Sequence, residues 1–265
     1  MLRFSAHLSM LFTEVDFLDR FEAAARAGFG GVEYMGPYDF DKRVIAELLQ
    51  THKLTQVLFN MPAGNRAAGD RGIACQPGRR AEFLDSVGLA LDYAVALGCV
   101  QINCLAGNVP PDLAPQAAHE TYVENLRYVA AHAARQNVRV VIEPLNPIDF
   151  PGFFLTRTDQ AAAIVAEVGS PNLGIEYDVF HAQKSEGNLA DTIERHFPLM
   201  WHLQIADVPT RQEPGTGEIR FNYLFEQLER LGYGGWIGCD YHPSKSGGRH
   251  LDWLVELRRS NPKSA

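Results

Sequence analysis

The chain has 265 residues, 46% hydrophobic and 21% charged, a composition that supports a sizeable core and excludes a disordered chain. Its 24 basic and 32 acidic residues give a formal charge of −8 with no strongly basic run, which argues against nucleic acid and anionic membrane as partners. No stretch reaches the roughly 18 uncharged apolar residues of a membrane span, acidic Glu14 and Asp16 follow the N-terminal apolar stretch, and the four cysteines lack CxxC spacing, so a cytoplasmic protein with reduced thiols is expected.

Short apolar runs alternate with longer helical patterns along the whole chain. The first predicted strand is 3–7, followed by a helix at 17–27 that Gly28 closes, because glycine adopts the left-handed cap conformation at least cost. A strand at 31–34, a helix at 42–52 and a strand at 55–59 come next. A long glycine-rich loop, NMPAGNRAAGDRGIACQPGRR, then leads to a helix at 80–97. The rhythm continues with strands at 100–104, 139–143, 173–178, 200–204 and 236–240, and helices at 119–136, 158–168, 189–195, 221–231 and 250–259. Eight βα units of about 33 residues each predict one (β/α)8 TIM barrel, an α/β fold, in a single domain over residues 1–265. An open doubly wound sheet is the competitor, but the first strand is followed by LSMLFTEVDF rather than GxGxxG, and no GxxxxGK[ST] loop occurs.

Catalytic side chains of such barrels project from the C-terminal ends of the strands. The fifth strand ends VRVVIEP, with Glu143 at its tip, and the sixth ends LGIEYD, with Asp178. The seventh, MWHLQIAD, offers Gln204 with Asp207 just beyond, and the eighth, WIGCD, offers Asp240. Three carboxylates and an amide oxygen form a hard set of ligands that suits Mg²⁺ or Mn²⁺ better than zinc. A cation there would also offset the repulsion among three gathered negative groups. His181, three residues past Asp178, is expected either to hydrogen-bond a substrate oxygen or to be a loop histidine satisfied by backbone. Arg211 either binds a carboxylate or hydroxyl pair, or lies on the surface paired with Glu213 or Glu218. Glu33, near the end of the second strand, is a further candidate wall of the site, and Arg66 or Arg71 of the long loop could face an anionic substrate from a lid.

These residues lie within longer stretches that resemble the bacterial hydroxypyruvate isomerase family, among the xylose-isomerase-like barrels. The resemblance is carried by FSAHLSMLFTEVDFLDRF, AGFGGVEY, NMPAGNRAAGDRGIACQPGR, ENLRYVA, IEPLN, YDVFHAQ, HLQIADVPTRQEPGTGEI and GYGGWIGCDYHP, spanning about residues 1–243. It implies a divalent metal held by Glu143, Asp178, Gln204 and Asp240, with Glu143 and Asp240 as paired acid and base. It further implies that His181 and Arg211 contact a small keto acid or sugar. One departure from the family pattern matters: GCEYKP reads GCDYHP here, so Asp240 stands where the family carries the longer glutamate.

The reaction implied is the interconversion of hydroxypyruvate and tartronate semialdehyde through a metal-stabilised enediolate. A 2-oxo-tetronate isomerase or a ketose 3-epimerase would use the same constellation. A metal-assisted hydrolase would call for more histidines at the strand ends and a basic groove. The non-enzyme alternative is a metal-dependent sugar-acid binding protein, and assembly into a homo-oligomer is left open.

Overall fold

In the computed structural model, which describes residues 2–244 and 249–260, eight parallel strands form one sheet in the order β3-β2-β1-β8-β7-β6-β5-β4. The strands are β1 (Arg3–His7), β2 (Gly31–Tyr34), β3 (Thr55–Phe59), β4 (Gln101–Asn103), β5 (Arg139–Ile142), β6 (Leu173–Asp178), β7 (Met200–Ile205) and β8 (Trp236–Cys239). The two ends of the sheet meet just past β3, where Asn60 bridges Asn103 and the Met61 amide donates to the Asn103 carbonyl at 2.9 Å. The sheet is thus a nearly closed TIM barrel, as expected from the repeat.

Helices α1 (Arg20–Arg26), α2 (Lys42–His52), α3 (Arg80–Ala96), α4 (Pro115–Ala134), α5 (Thr158–Val168), α6 (Val179–Ser185), α7 (Leu189–His196), α8 (Phe221–Arg230) and α9 (Asp252–Ser260) intervene or follow. Each longer helix turns an apolar stripe toward the strands; α3, for instance, buries Phe83, Val87, Ala90, Leu91 and Ala94. Full burial of one such large side chain stabilises the fold by about 1.5–3 kcal/mol. Strand alternation sends Phe4 and Ala6 outward, Phe4 packing edge-on to Phe225 at 5.5 Å and Trp253 at 5.4 Å, while Ser5 and His7 turn to polar partners in the interior.

Most boundaries lie within one or two residues of the sequence reading, and the larger differences are at two helix starts and one short helix. α4 starts at Pro115 rather than 119, because proline at the first helical position loses no needed hydrogen bond. The first helix opens with a 3₁₀ turn at Phe17–Asp19 before α1 proper. The unexpected element is α6, a seven-residue helix whose first four residues are all buried. With its whole first turn buried and only its last three residues partly exposed, it shows too little of the 3.6-residue pattern that would have marked it.

The lower part of the barrel is plugged by Val57, Leu58 and Val141 with Trp201 and Trp236 packed against them. Gly174 makes room for this plug: a Cβ there would lie 2.3 Å from Trp201 Cδ2. Gly174→Ala is therefore expected to destabilise the fold by about 1–3 kcal/mol through overpacking, read as a lowered denaturant midpoint. An unchanged midpoint would mean that the indole moves aside freely.

Candidate active site

Glu143, Asp178 and Asp240 interact at one mouth, and Gln204 stands beside Asp178 in the register of β6 and β7. Glu143 directly follows β5 and is held by Asn103, whose Nδ2 donates to Glu143 Oε2 at 2.8 Å and to Asn60 Oδ1 at 3.1 Å. Asp178 ends β6 and caps α6: its Oδ1 accepts the Phe180 amide at 2.7 Å. Its other oxygen, Oδ2, is buried without a hydrogen bond, 3.6 Å from His181 Nε2 and 3.7 Å from Arg211 Nη2. Asp240, just after β8, accepts from Arg211 Nη2 on Oδ2, while Oδ1 is buried without a hydrogen bond, 3.6 Å from His7 Nδ1.

Arg211 is half-buried at the mouth and stacks on Phe180 at 5.1 Å, so it does not take the surface position paired with Glu213 or Glu218. Glu213 instead accepts from the Ser244 amide and hydroxyl, and Glu218 from Gln183. The turn that presents Arg211 is built on Asp207. Its carboxylate accepts the amides of Val208 (2.9 Å), Gly215 (3.0 Å), Gly217 (2.8 Å) and Ile219 (3.0 Å), closing the loop upon itself. Gly217 must lack a side chain, because a Cβ would stand 1.9 Å from the Val208 carbonyl oxygen. Asp207 is thus occupied as a loop organiser.

Glu33 lies beneath the mouth rather than on its wall. Fully buried, it accepts from Ser5 Oγ at 2.6 Å and Gln204 Nε2 at 2.7 Å, and stands 3.0 Å from His202 Nε2. Gly238 provides the space, since a Cβ there would come 2.0 Å from Glu33 Oε1. By taking the Gln204 amide nitrogen, Glu33 fixes which end of that side chain is its donor. Arg71 is half-buried in the loop after β3, donating to the Asp70 carbonyl at 2.8 Å. Among the described residues no ion pair joins Arg71 to the carboxylates of the mouth. Arg66 reaches the end of β2, where it donates to Met35 Sδ.

His181 is a residue of α6 rather than of a loop, and its ring is buried against Phe150 and Phe180. Sequence reasoning passed over Glu176, Asn103, Asn146 and His7. Glu176 was within reach of it, since it precedes Asp178 by two residues and strand alternation puts both on the interior face. Both Glu176 oxygens are buried without hydrogen bonds.

Electrostatics divide these acids into two groups. Burial, then the charges of Asp178 and Asp240, pushes Glu143 well above the ordinary carboxylate range. Burial likewise pushes Asp178 up to about 7, with Arg211 opposing and Asp240 reinforcing the rise. Glu176 is raised by burial and by Glu143. Asp240 goes the other way: burial would raise it, but Arg211 and His7 hold it down at about 2. His181 falls to about 3, through burial and the adjacent Arg211 cation, and its ring is neutral.

Such a set suits a cation. Glu143, Asp178 and His181 offer ligand atoms that all lie within 4.8 Å of one another. The unbonded oxygens of Asp178 and Asp240, and the carboxyl groups forced toward protonation, are what a bound divalent ion would satisfy.

The profile of the xylose isomerase-like TIM barrel family matches residues 21–257. The chain belongs to this family. Within it, Escherichia coli hydroxypyruvate isomerase is 50% identical over 258 residues, covering 97% of this chain and 100% of the relative. The 2-oxo-tetronate isomerase of Cupriavidus necator is 46% identical, covering 96% and 98% of the two chains. A crystal structure titled AP endonuclease, family 2, from Brucella melitensis superposes with a TM-score of 0.94 at 46% identity, covering 97% and 99%. Structures of lower identity, such as an L-ribulose 3-epimerase at 19% and a TM-score of 0.79, share the barrel.

Proposed function

We propose that this isomerase interconverts hydroxypyruvate and tartronate semialdehyde, with Glu143 and Asp240 moving the proton between adjacent carbons. The observation that carries the reading is the pair of buried carboxylates at one mouth whose affinities for protons are driven apart, Glu143 up and Asp240 down. Asp240, ionised beside Arg211, takes the proton from the hydroxymethyl carbon. The electron pair moves to the neighbouring carbon, and the ketone oxygen becomes the oxygen of an enediolate. A proton is returned to that neighbouring carbon from Glu143, or from the same carboxyl, while the former hydroxyl passes its proton to the former ketone oxygen, so that the first oxygen becomes the aldehyde and the second the new hydroxyl. His181 and Arg211 face the oxygens on which negative charge grows.

A divalent ion, Mg²⁺ or Mn²⁺, would be held by Glu143, Asp178, Gln204 and Asp240, and when bound it would polarise the two substrate oxygens. Glu33 then acts as a support of Gln204, and Arg71 as the lid residue that meets the substrate carboxylate. The charge of −8 and the lack of a basic stripe favour a small molecule over nucleic acid as partner. The four cysteines are free and buried, which suits a cytoplasmic protein, and among the described residues no helix is long and apolar enough to cross a membrane. The chain works as one domain, alone or as a homo-oligomer.

The test is ¹H NMR of hydroxypyruvate in D₂O with Mg²⁺. Deuterium entry and growth of the aldehyde hydrate are expected, and Arg71→Ala should raise KM for this acid more than for a neutral ketose. Turnover of 2-oxo-tetronate alone would overturn the substrate assignment. That second reading has its own support: Asp240 is one methylene shorter than the family glutamate and leaves room for a larger substrate.

Metal binding has a separate readout. Asp178 is raised from its ordinary 3.8 to about 7, so its favourable contribution to folding is fully present below pH 4 and is lost as pH rises through 7. A cation relieves that loss, and protons compete with it for the carboxylates. Mg²⁺ is expected to raise Tm by several degrees at pH 8 and by little at pH 5. Equal shifts at both pH values would place the ion elsewhere.

A further inference from the structure

His181 Nδ1 has two N–H groups directed at it, the Asn146 backbone amide at 3.2 Å and the Asn146 side-chain Nδ2 at 2.7 Å. A backbone amide can only donate, so Nδ1 must accept. The orientation of the Asn146 side chain is fixed independently. The Asp149 amide donates to Asn146 Oδ1 at 2.9 Å, which leaves the NH₂ end facing the imidazole, and the same NH₂ donates to Asp149 Oδ2 at 3.1 Å. Asp149 is in turn clamped by Lys184, whose Nζ lies 2.6 Å from each carboxylate oxygen. Phe150 and Phe180 pack edge-on against the ring, each with centroids 5.4 Å away, and hinder its rotation.

A neutral imidazole that accepts at Nδ1 carries its hydrogen at Nε2. That nitrogen is the one at the mouth, 3.6 Å from Asp178 Oδ2. A nitrogen bearing hydrogen offers no lone pair to a cation. We propose that Asn146, braced by Asp149 and Lys184, is a positioning residue that holds His181 in its Nε2–H form, reserving the ring to donate a hydrogen bond to substrate and excluding it from the metal's ligands. The geometric grouping of His181 with Glu143 and Asp178 is then a matter of proximity, with Gln204 and Asp240 completing the oxygen set. The low proton affinity of the buried ring beside Arg211 agrees with a neutral donor. Only the identity of the substrate oxygen rests on the proposed isomerisation; the tautomer does not.

The full-length protein labelled with ¹⁵N-histidine tests this by long-range ¹H–¹⁵N correlation, with His181→Gln to assign the signal. The expected result is an unprotonated Nδ1 and a protonated Nε2, both unchanged on saturation with Mg²⁺. A hydrogen on Nδ1, or an Nε2 that shifts into the coordinated range with Mg²⁺, would overturn the proposal. Asn146→Asp places an acceptor opposite Nδ1 and should draw the hydrogen there, lowering kcat on hydroxypyruvate at least tenfold while Tm moves by only a few degrees. If that variant does not fold, Asn146→Ala loses the 2.7 Å side-chain bond and keeps only the longer 3.2 Å backbone bond, so a minor population of the Nδ1–H tautomer should appear where that weaker bond opens. A ring unchanged in the folded variants would show that Asn146 does not set it. A native protein inert toward hydroxypyruvate but carrying Nε2–H would defeat the proposed substrate and leave the role of Asn146 standing.

Discussion

Glu143→Gln is expected to lower turnover of hydroxypyruvate by about a thousandfold or more, within the range of 10²–10⁴ typical of a positioned acid–base group. The substitution keeps the shape and one oxygen but removes the exchangeable proton. Asn103 Nδ2 now donates to Glu143 Oε2, and the amide can still accept that bond if its oxygen faces Asn103. The fold should therefore be little affected. Burial and two acidic neighbours currently raise the proton affinity of Glu143, so the neutral amide should also relieve repulsion, and Tm in the absence of metal should rise rather than fall. A variant that loses activity but gains stability separates a chemical role from a structural one. Turnover within tenfold of the native enzyme would make Glu143 a ligand only.

The barrel was legible because its strands are buried parallel strands, which read as short apolar runs, and because Gly28 closes the first helix in the left-handed conformation. The positions of Glu143, Asp178, Gln204 and Asp240 at or just past the ends of their strands were legible for a related reason. Alternation fixes which face a residue takes, and the end of an apolar run fixes its height in the barrel.

What the sequence hid were relations between distant segments. Nothing in the run HLQIAD marks Asp207 as the acceptor of four amides up to twelve residues ahead, yet that closure is what swings Arg211 back onto Asp240. Glu33 looked like a wall of the site because it lies near the end of its strand. The β-bulge between Val32 and Glu33 and the missing side chain at Gly238 instead let its carboxylate sink beneath Gln204. The helix at Val179–Ser185 was missed because its exposed face is too small to leave a polar stripe. His181, assigned to a loop for the same reason, is held rigidly as a consequence.

Asp240→Asn is expected to be nearly as damaging to catalysis as the change at Glu143, and far more damaging to stability. Asp240 is the direct counter-charge of Arg211, a residue only 20% exposed at its side chain, with Asp178 farther away at 3.7 Å. Neutralising one partner of a buried pair leaves the other uncompensated, a loss of about 3–5 kcal/mol, so a large fall in Tm is expected. With no ionised base at the end of β8, kcat should drop by about 10²–10⁴-fold. The remaining carboxylates should respond in a set direction. Asp240 raises the proton affinity of Glu143 and Asp178, whereas Arg211 lowers it. Removing the first and keeping the second must move both titrations to lower pH, and the acidic limb of the residual pH–rate profile should follow. Asp240→Glu provides the comparison, because it keeps the charge while extending the side chain by roughly 1.5 Å toward Arg211. It should retain most of the stability and a far larger share of kcat than the asparagine variant. If asparagine proves harmless to kcat once the protein is folded, Asp240 serves only to anchor Arg211, and the base that opens the reaction is Glu143 acting alone.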